Sequence, residues 1–246
     1  MISIKKLKKP DLPIMNVACD GKLNPKLDEF QMLSHLNKHS TNLIVGRPAS
    51  GKSSLLWSFF KSKSVFKKTF DKVIYFAPSA SQGSVKDNIF ATLPEEQRFN
   101  ELTLENLEDA LDMIKGMDKD ENACLILDDM TAYLKNATTL KLFKEILFNK
   151  RHLHVSVFFL VQTFFSVPKD LRRVFDNIFI FKTSKDELFN IFDQLVEIND
   201  KDLIGEISKE VFDKKYNYLM VNLPTQKMYK NFDEIIIENG DEDIEI

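Results

Sequence analysis

Two cysteines, Cys19 and Cys124, are all that the 246 residues contain. That is too few for a disulfide framework, so a reducing compartment is expected. No window approaches the roughly 18 uninterrupted apolar residues that a membrane-crossing helix needs, and no membrane insertion is expected. The start, Met1-Ile2-Ser3-Ile4-Lys5-Lys6, has neither a secretory apolar stretch nor a cleavage site. No internal repeat is visible. No cysteine or carboxylate array accompanies Arg151-His152 and His154, which argues against a zinc centre.

What is present fits a globular chain: 43% hydrophobic and 29% charged residues, enough for one large α/β domain with a full core. The net charge of -3 is unevenly spread. Residues 233–246 hold seven acids and no base, so they read as a solvated acidic tail, and the rest of the chain keeps a small positive excess. Such a body permits contact with nucleic acid without demonstrating it.

The first 40 residues hold Pro10, Pro13, Pro25 and the cluster Lys5-Lys6-Lys8-Lys9, which suits an extended arm or short strand, with a short helix over 28–37. Residues 41–232 then alternate strand and helix. Apolar runs at 43–45, 72–77, 123–127, 155–161 and 177–181 read as buried strands. Helical spacing is found near 104–116, 139–149, 168–175, 186–196 and 201–211. Segments 216–222 and 227–232 flank Pro224 as a terminal hairpin. The expected fold is α/β, a doubly wound, mostly parallel sheet flanked by helices. The abundant phenylalanines fall in runs such as Phe158-Phe159 and read as core.

The most specific signal is Gly46-Arg47-Pro48-Ala49-Ser50-Gly51-Lys52-Ser53, followed by Ser54, between an apolar strand and an amphipathic segment. Backbone N–H groups of such a loop cradle phosphates at a helix N-terminus. Lys52 would reach the β- and γ-oxygens, and the Ser53 hydroxyl would ligate Mg2+. Glycine is expected at 46 and 51 because a Cβ there would meet the phosphates or forbid the turn. The motif predicts binding of a nucleoside triphosphate.

A second apolar run ends in Asp128-Asp129, at the carboxyl edge where a doubly wound sheet gathers its site residues. Asp128 is expected to orient the metal, and Asp129 to act as general base toward an attacking water. Gln162, closing the next strand, suits contact with a γ-phosphate and that water. Arg172 and Arg173 follow a short helix later, where a guanidinium could spread over charge developing on a transferred phosphoryl group, including from a neighbouring subunit.

Taken in order, these elements resemble the genome-packaging ATPases of large nucleocytoplasmic DNA viruses, of poxvirus type, in the FtsK–HerA group of P-loop ring motors. The resemblance spans about residues 41–182: the loop at 46–53, Leu127-Asp128-Asp129, Arg151-His152, Gln162, then Pro168 and Arg172. It implies ATP hydrolysis that drives double-stranded DNA into a capsid. It also implies a homo-oligomeric ring, backbone rather than base-specific DNA contacts, possible docking on capsid proteins, and work at assembly sites in the host cytoplasm or in association with the virion. In that group an additional strand lies between those bearing the loop and the acidic pair; here it would be 155–161. The same carry-over makes Arg172, rather than Arg173, the trans-acting finger candidate. Lys61, Lys63, Lys67 and Lys68, or Lys169 with Arg173, are candidates for the DNA backbone. A nucleotide-dependent assembly switch that moves no DNA, and a small-molecule kinase, share the loop and are the competing readings.

Overall fold

The computed structural model describes residues 2–8, 31–36, 39–63, 65–79, 88–119 and 121–237. Among them ten strands form one sheet: β1 (Ile2–Lys5), β2 (Thr41–Val45), β3 (Lys72–Phe76), β4 (Arg98–Phe99), β5 (Ala123–Asp128), β6 (Val155–Val161), β7 (Asn177–Phe181), β8 (Tyr218–Asn222), β9 (Lys227–Lys230) and β10 (Asp233–Ile237). Their order is β1-β10-β9-β8-β7-β2-β6-β5-β3-β4. From β7 to β4 the pairs are parallel, and from β7 to β1 they are antiparallel. The apolar run of β6 therefore lies between β2 and β5, where the resemblance put an additional strand.

The central strands are buried along their length because both faces are covered. The pleat divides β2: Leu43 and Val45 enter one apolar layer, Ile44 the other. On the first side lie α2 (Leu104–Lys115), α3 (Ala137–Phe148), α4 (Lys185–Ile191) and α5 (Lys201–Val211); on the second, α1 (Lys52–Lys61). Helix α2 starts where Thr103 Oγ1 accepts from Asn106 N, and it buries Leu107, Ala110, Leu111 and Ile114, the spacing of one helical face. Asn136 and Asp200 cap α3 and α5 in the same way. Phe158, Phe159, Phe179 and Phe181 are buried as expected, each worth roughly 1.5–3 kcal/mol relative to exposure.

Three boundaries differ from the sequence reading. Residues 233–237 are not tail: they form β10, which pairs with β9 and with β1, so both ends of the described chain meet at one sheet edge. Pairing supplies a strand with partners that acidic composition does not reveal. Residues 238–246 of the acidic tail lie outside the described residues, as does most of the arm. Of the helix expected over 28–37, the described part is a single tight turn, Leu33–His35. The segment 186–196 divides into α4 and a wider π turn over Phe192–Val196.

Candidate nucleotide-binding site

Loop 46–51 leaves the carboxyl end of β2 and turns into α1. Gly46 N donates to Val161 O (3.1 Å), which fixes the loop's first residue against β6. Ser50 N donates to Arg47 O (3.2 Å), and both Ala49 (φ 59°) and Gly51 (φ 110°) adopt positive φ. Gly51 is the N-cap of α1 and supplies no side-chain cap, so the first-turn N–H groups are left for an anion.

Protein atoms, rather than phosphates alone, demand the two glycines. A Cβ at Gly46 would stand 2.6 Å from Ser50 Oγ and 2.8 Å from Phe181 Cβ. At Gly51 the backbone conformation itself disfavours a side chain, and a Cβ would meet Phe181 Cε1 at 3.2 Å.

Lys52 is 9% exposed and donates to Gly46 O (2.6 Å) and Arg47 O (3.1 Å), folded back on its own loop. Burial pushes its ammonium below the ordinary lysine range, against the opposing pull of Asp128 and Asp129. Ser53 Oγ donates to Asp128 Oδ2 (3.1 Å), and the Tyr75 hydroxyl lies 3.5 Å from the same oxygen. Burial raises the Asp128 carboxyl above its usual range, although the Ser53 hydrogen bond and Lys52 act the other way. Asp129 leaves the strand at φ 60°, a left-handed conformation that aspartate tolerates, while its N–H donates to Leu160 O (3.0 Å). Gln162 Nε2 donates to Asp129 Oδ2. The loop, Ser53, both aspartates and Gln162 thus share one sheet edge.

The pair Ser53–Asp128 offers a hard cation two oxygens on adjoining elements, and Ser50 Oγ is buried without a hydrogen-bond partner beside the uncapped helix start. These features fit a triphosphate with Mg2+.

The family model described as Poxvirus A32 protein matches residues 28–239. The chain belongs to that family. No curated protein sequence matches it significantly. Among solved structures, this family member is similar to the genome packaging NTPase B204 of Sulfolobus turreted icosahedral virus 2 in complex with ATP-gammaS. The TM-score is 0.56 at 19% identity, over 78% of this chain and 97% of that one. B204 described as the DNA-packaging ATPase of Sulfolobus Turreted Icosahedral Virus gives 0.53 at 19% identity, over 82% and 100%. ATPases 2 and 3 of EssC from Geobacillus thermodenitrificans give 0.50 at 13%, over 84% of this chain and 41% of that one. At these identities the likeness establishes the P-loop NTPase fold, with its mostly parallel sheet.

Arg172 is not brought to the loop. It is 6% exposed, and its Nε, Nη1 and Nη2 donate to Val167 O (3.0 Å), Gln194 Oε1 (2.9 Å) and Phe165 O (3.3 Å). Its guanidinium also lies 4.6 Å from the Phe164 ring centroid. The segment 169–174 is a 3-10 turn, which sends Arg172 inward and leaves Arg173 exposed.

Two residues that the sequence reading passed over support the site. Tyr75 had read only as strand core. Glu187 is 6% exposed and accepts from Thr163 Oγ1 and Phe164 N, both at 2.5 Å, and from Thr183 Oγ1. It holds the start of the turn that follows Gln162, as Arg172 holds its later residues. Ser184-Lys185-Asp186-Glu187 has capping-box form, and Glu187 N does donate to Ser184 Oγ (3.2 Å). That signal marks a helix start; the partners 23 and 24 residues away lie outside it.

Proposed function

We propose that the protein is an ATP-hydrolysing ring motor that moves double-stranded viral DNA into a capsid during virion assembly. The observation that carries this reading is the convergence of Ser53, Asp128, Asp129 and Gln162 at the mouth of the phosphate loop, with β6 inserted between β2 and β5. Genome packaging is the role of the B204 proteins that share the fold.

In this reading Lys52 exchanges its two loop carbonyls for β- and γ-oxygens. Ser53 and Asp128 hold Mg2+, which when bound neutralises charge on the phosphates. Asp129 accepts a proton from the attacking water, and Gln162, already bonded to Asp129, orients that water. Arg172 is occupied by buried acceptors, so of the two adjacent arginines it is exposed Arg173 that could be lent to a neighbouring subunit of a homo-oligomeric ring as a charge-stabilising residue. Lys63, Lys67, Lys68 and Lys169 are exposed and suit phosphate-backbone contacts without base reading. Docking on a capsid protein at assembly sites in the host cytoplasm completes the reading.

The test is phosphate release with and without long duplex DNA. Wild type is expected to be stimulated by DNA, with stimulation falling steeply as salt rises. Lys52→Ala should lower the rate by at least about a hundredfold. Hydrolysis indifferent to DNA would count against the motor and favour an assembly switch.

A further inference from the structure

The site as described grips phosphates and leaves the base of the nucleotide without a partner. Sheet order distinguishes the two sides of the loop. Strands β6 and β5 flank β2 on one side and bring Gln162, Asp128 and Asp129 to the γ-phosphate end. Strands β7 and β8 flank it on the other, the side that these residues leave to the α-phosphate and nucleoside.

Tyr216 stands on that side. Its Cδ1 lies 3.4 Å from where a Gly51 Cβ would be, ordinary van der Waals contact with that point, and Cε1 of the buried Phe181 lies 3.2 Å from the same point. The side chain is nevertheless 56% exposed, one of four large hydrophobics left so among the described residues. Its backbone sits at φ 70°, a costly conformation for a bulky residue that persists only when the surroundings over-determine it. They do so here. Asn217 Nδ2 donates to Asp213 Oδ1 (2.7 Å), Asn231 Nδ2 donates to Asn217 Oδ1 (3.0 Å), and Tyr218 N donates to Asn231 Oδ1 (3.1 Å). The neighbours of Tyr216 are pinned on the C-terminal side by the β8–β9 hairpin, and the ring is held out beside the loop. Lys215 Nζ lies over the ring, 4.7 Å from its centroid.

We propose that Tyr216 is the stacking platform for the nucleotide base. An aromatic face accepts any base by stacking, with purines favoured by area, so this residue favours purine over pyrimidine nucleotides and distinguishes adenine from guanine weakly. The inference rests on the nucleotide-site reading above, and deepens it by assigning the base end.

The experiment compares equilibrium binding of ATP and of inorganic tripolyphosphate, each with Mg2+, to wild type, Tyr216→Gly, Tyr216→Trp and Lys52→Ala. Glycine suits the positive φ, so Tyr216→Gly removes the ring without straining the turn, and its unfolding midpoint should stay at or above that of wild type. ATP affinity in Tyr216→Gly is expected to fall about five- to a hundredfold while tripolyphosphate affinity stays unchanged, and Tyr216→Trp should keep both. Unchanged ATP affinity in a folded Tyr216→Gly protein overturns the proposal, and so does a parallel loss of ATP and tripolyphosphate, which would make the ring a prop for the loop. The site reading fails differently: wild type would then bind neither probe, or Lys52→Ala would bind both as well as wild type does.

Discussion

Replacing Arg172 by alanine separates a buried clamp from a residue lent to a neighbour. The side chain is 6% exposed and satisfies three acceptors, Val167 O, Phe165 O and Gln194 Oε1. Hydrogen bonds from a charged donor contribute about 1.5–3 kcal/mol each, and stranded buried acceptors cost about 1–3 kcal/mol. With partial relaxation and entry of water, about 3–5 kcal/mol is a conservative sum. For a chain of 246 residues that lowers the unfolding midpoint by roughly 6–20 °C. Lysine should not rescue it, because an ammonium cannot reproduce the planar fork. Two of the acceptors belong to the turn after Gln162, so hydrolysis should fall as well, but within the mutated subunit. Calorimetry gives the first quantity, and phosphate release from wild type mixed with Arg172→Ala at varied ratios gives the second. The expected outcome is a large loss of stability with activity falling in proportion to the mutant fraction. A variant as stable as wild type whose mixtures lose activity faster than in proportion would refute the clamp and return Arg172 to the finger role.

Gly51→Ala places a Cβ at φ 110° and 3.2 Å from Phe181 Cε1, so a loss of at least about 1–2 kcal/mol is expected in chemical denaturation, together with weakened nucleotide binding. Gln162→Glu sets a second carboxylate against Asp129; turnover should drop about a hundredfold while ATP affinity changes little, as read by steady-state kinetics beside direct binding. His35, whose Nε2 lies 2.9 Å from the Tyr229 hydroxyl, has its pKa lowered by burial first and then by Lys227, with Glu234 opposing. The unfolded chain therefore takes up the proton first as pH falls below about 6.5. Stability should decline from that pH downward, less so in His35→Gln, and pH-resolved thermal unfolding checks the sign.

The phosphate loop was legible because its chemistry is local: eight consecutive residues, a strand before and a helix after. The acidic pair and Gln162 were legible because each closes a continuous apolar run, and a run buried on both faces can only be a central strand. Sequence by itself therefore determined the central strands, most helices and the residues that end at the carboxyl edge. Other features depend on contacts between distant segments, which no periodicity encodes. Only the folded chain decided that β10 and β1 join the two ends of the described chain, since residues 233–237 advertise solvation until a partner strand is present. Which arginine of the pair turns inward was decided by a 3-10 rather than an α-helical turn, a difference in residues per turn that two adjacent identical side chains cannot signal. The roles of Glu187 and Tyr216 arose the same way, one from acceptors on another strand's exit loop, the other from a strained turn laid beside Gly51. Local chemistry was written in the chain; the neighbours that put it to use were supplied by packing.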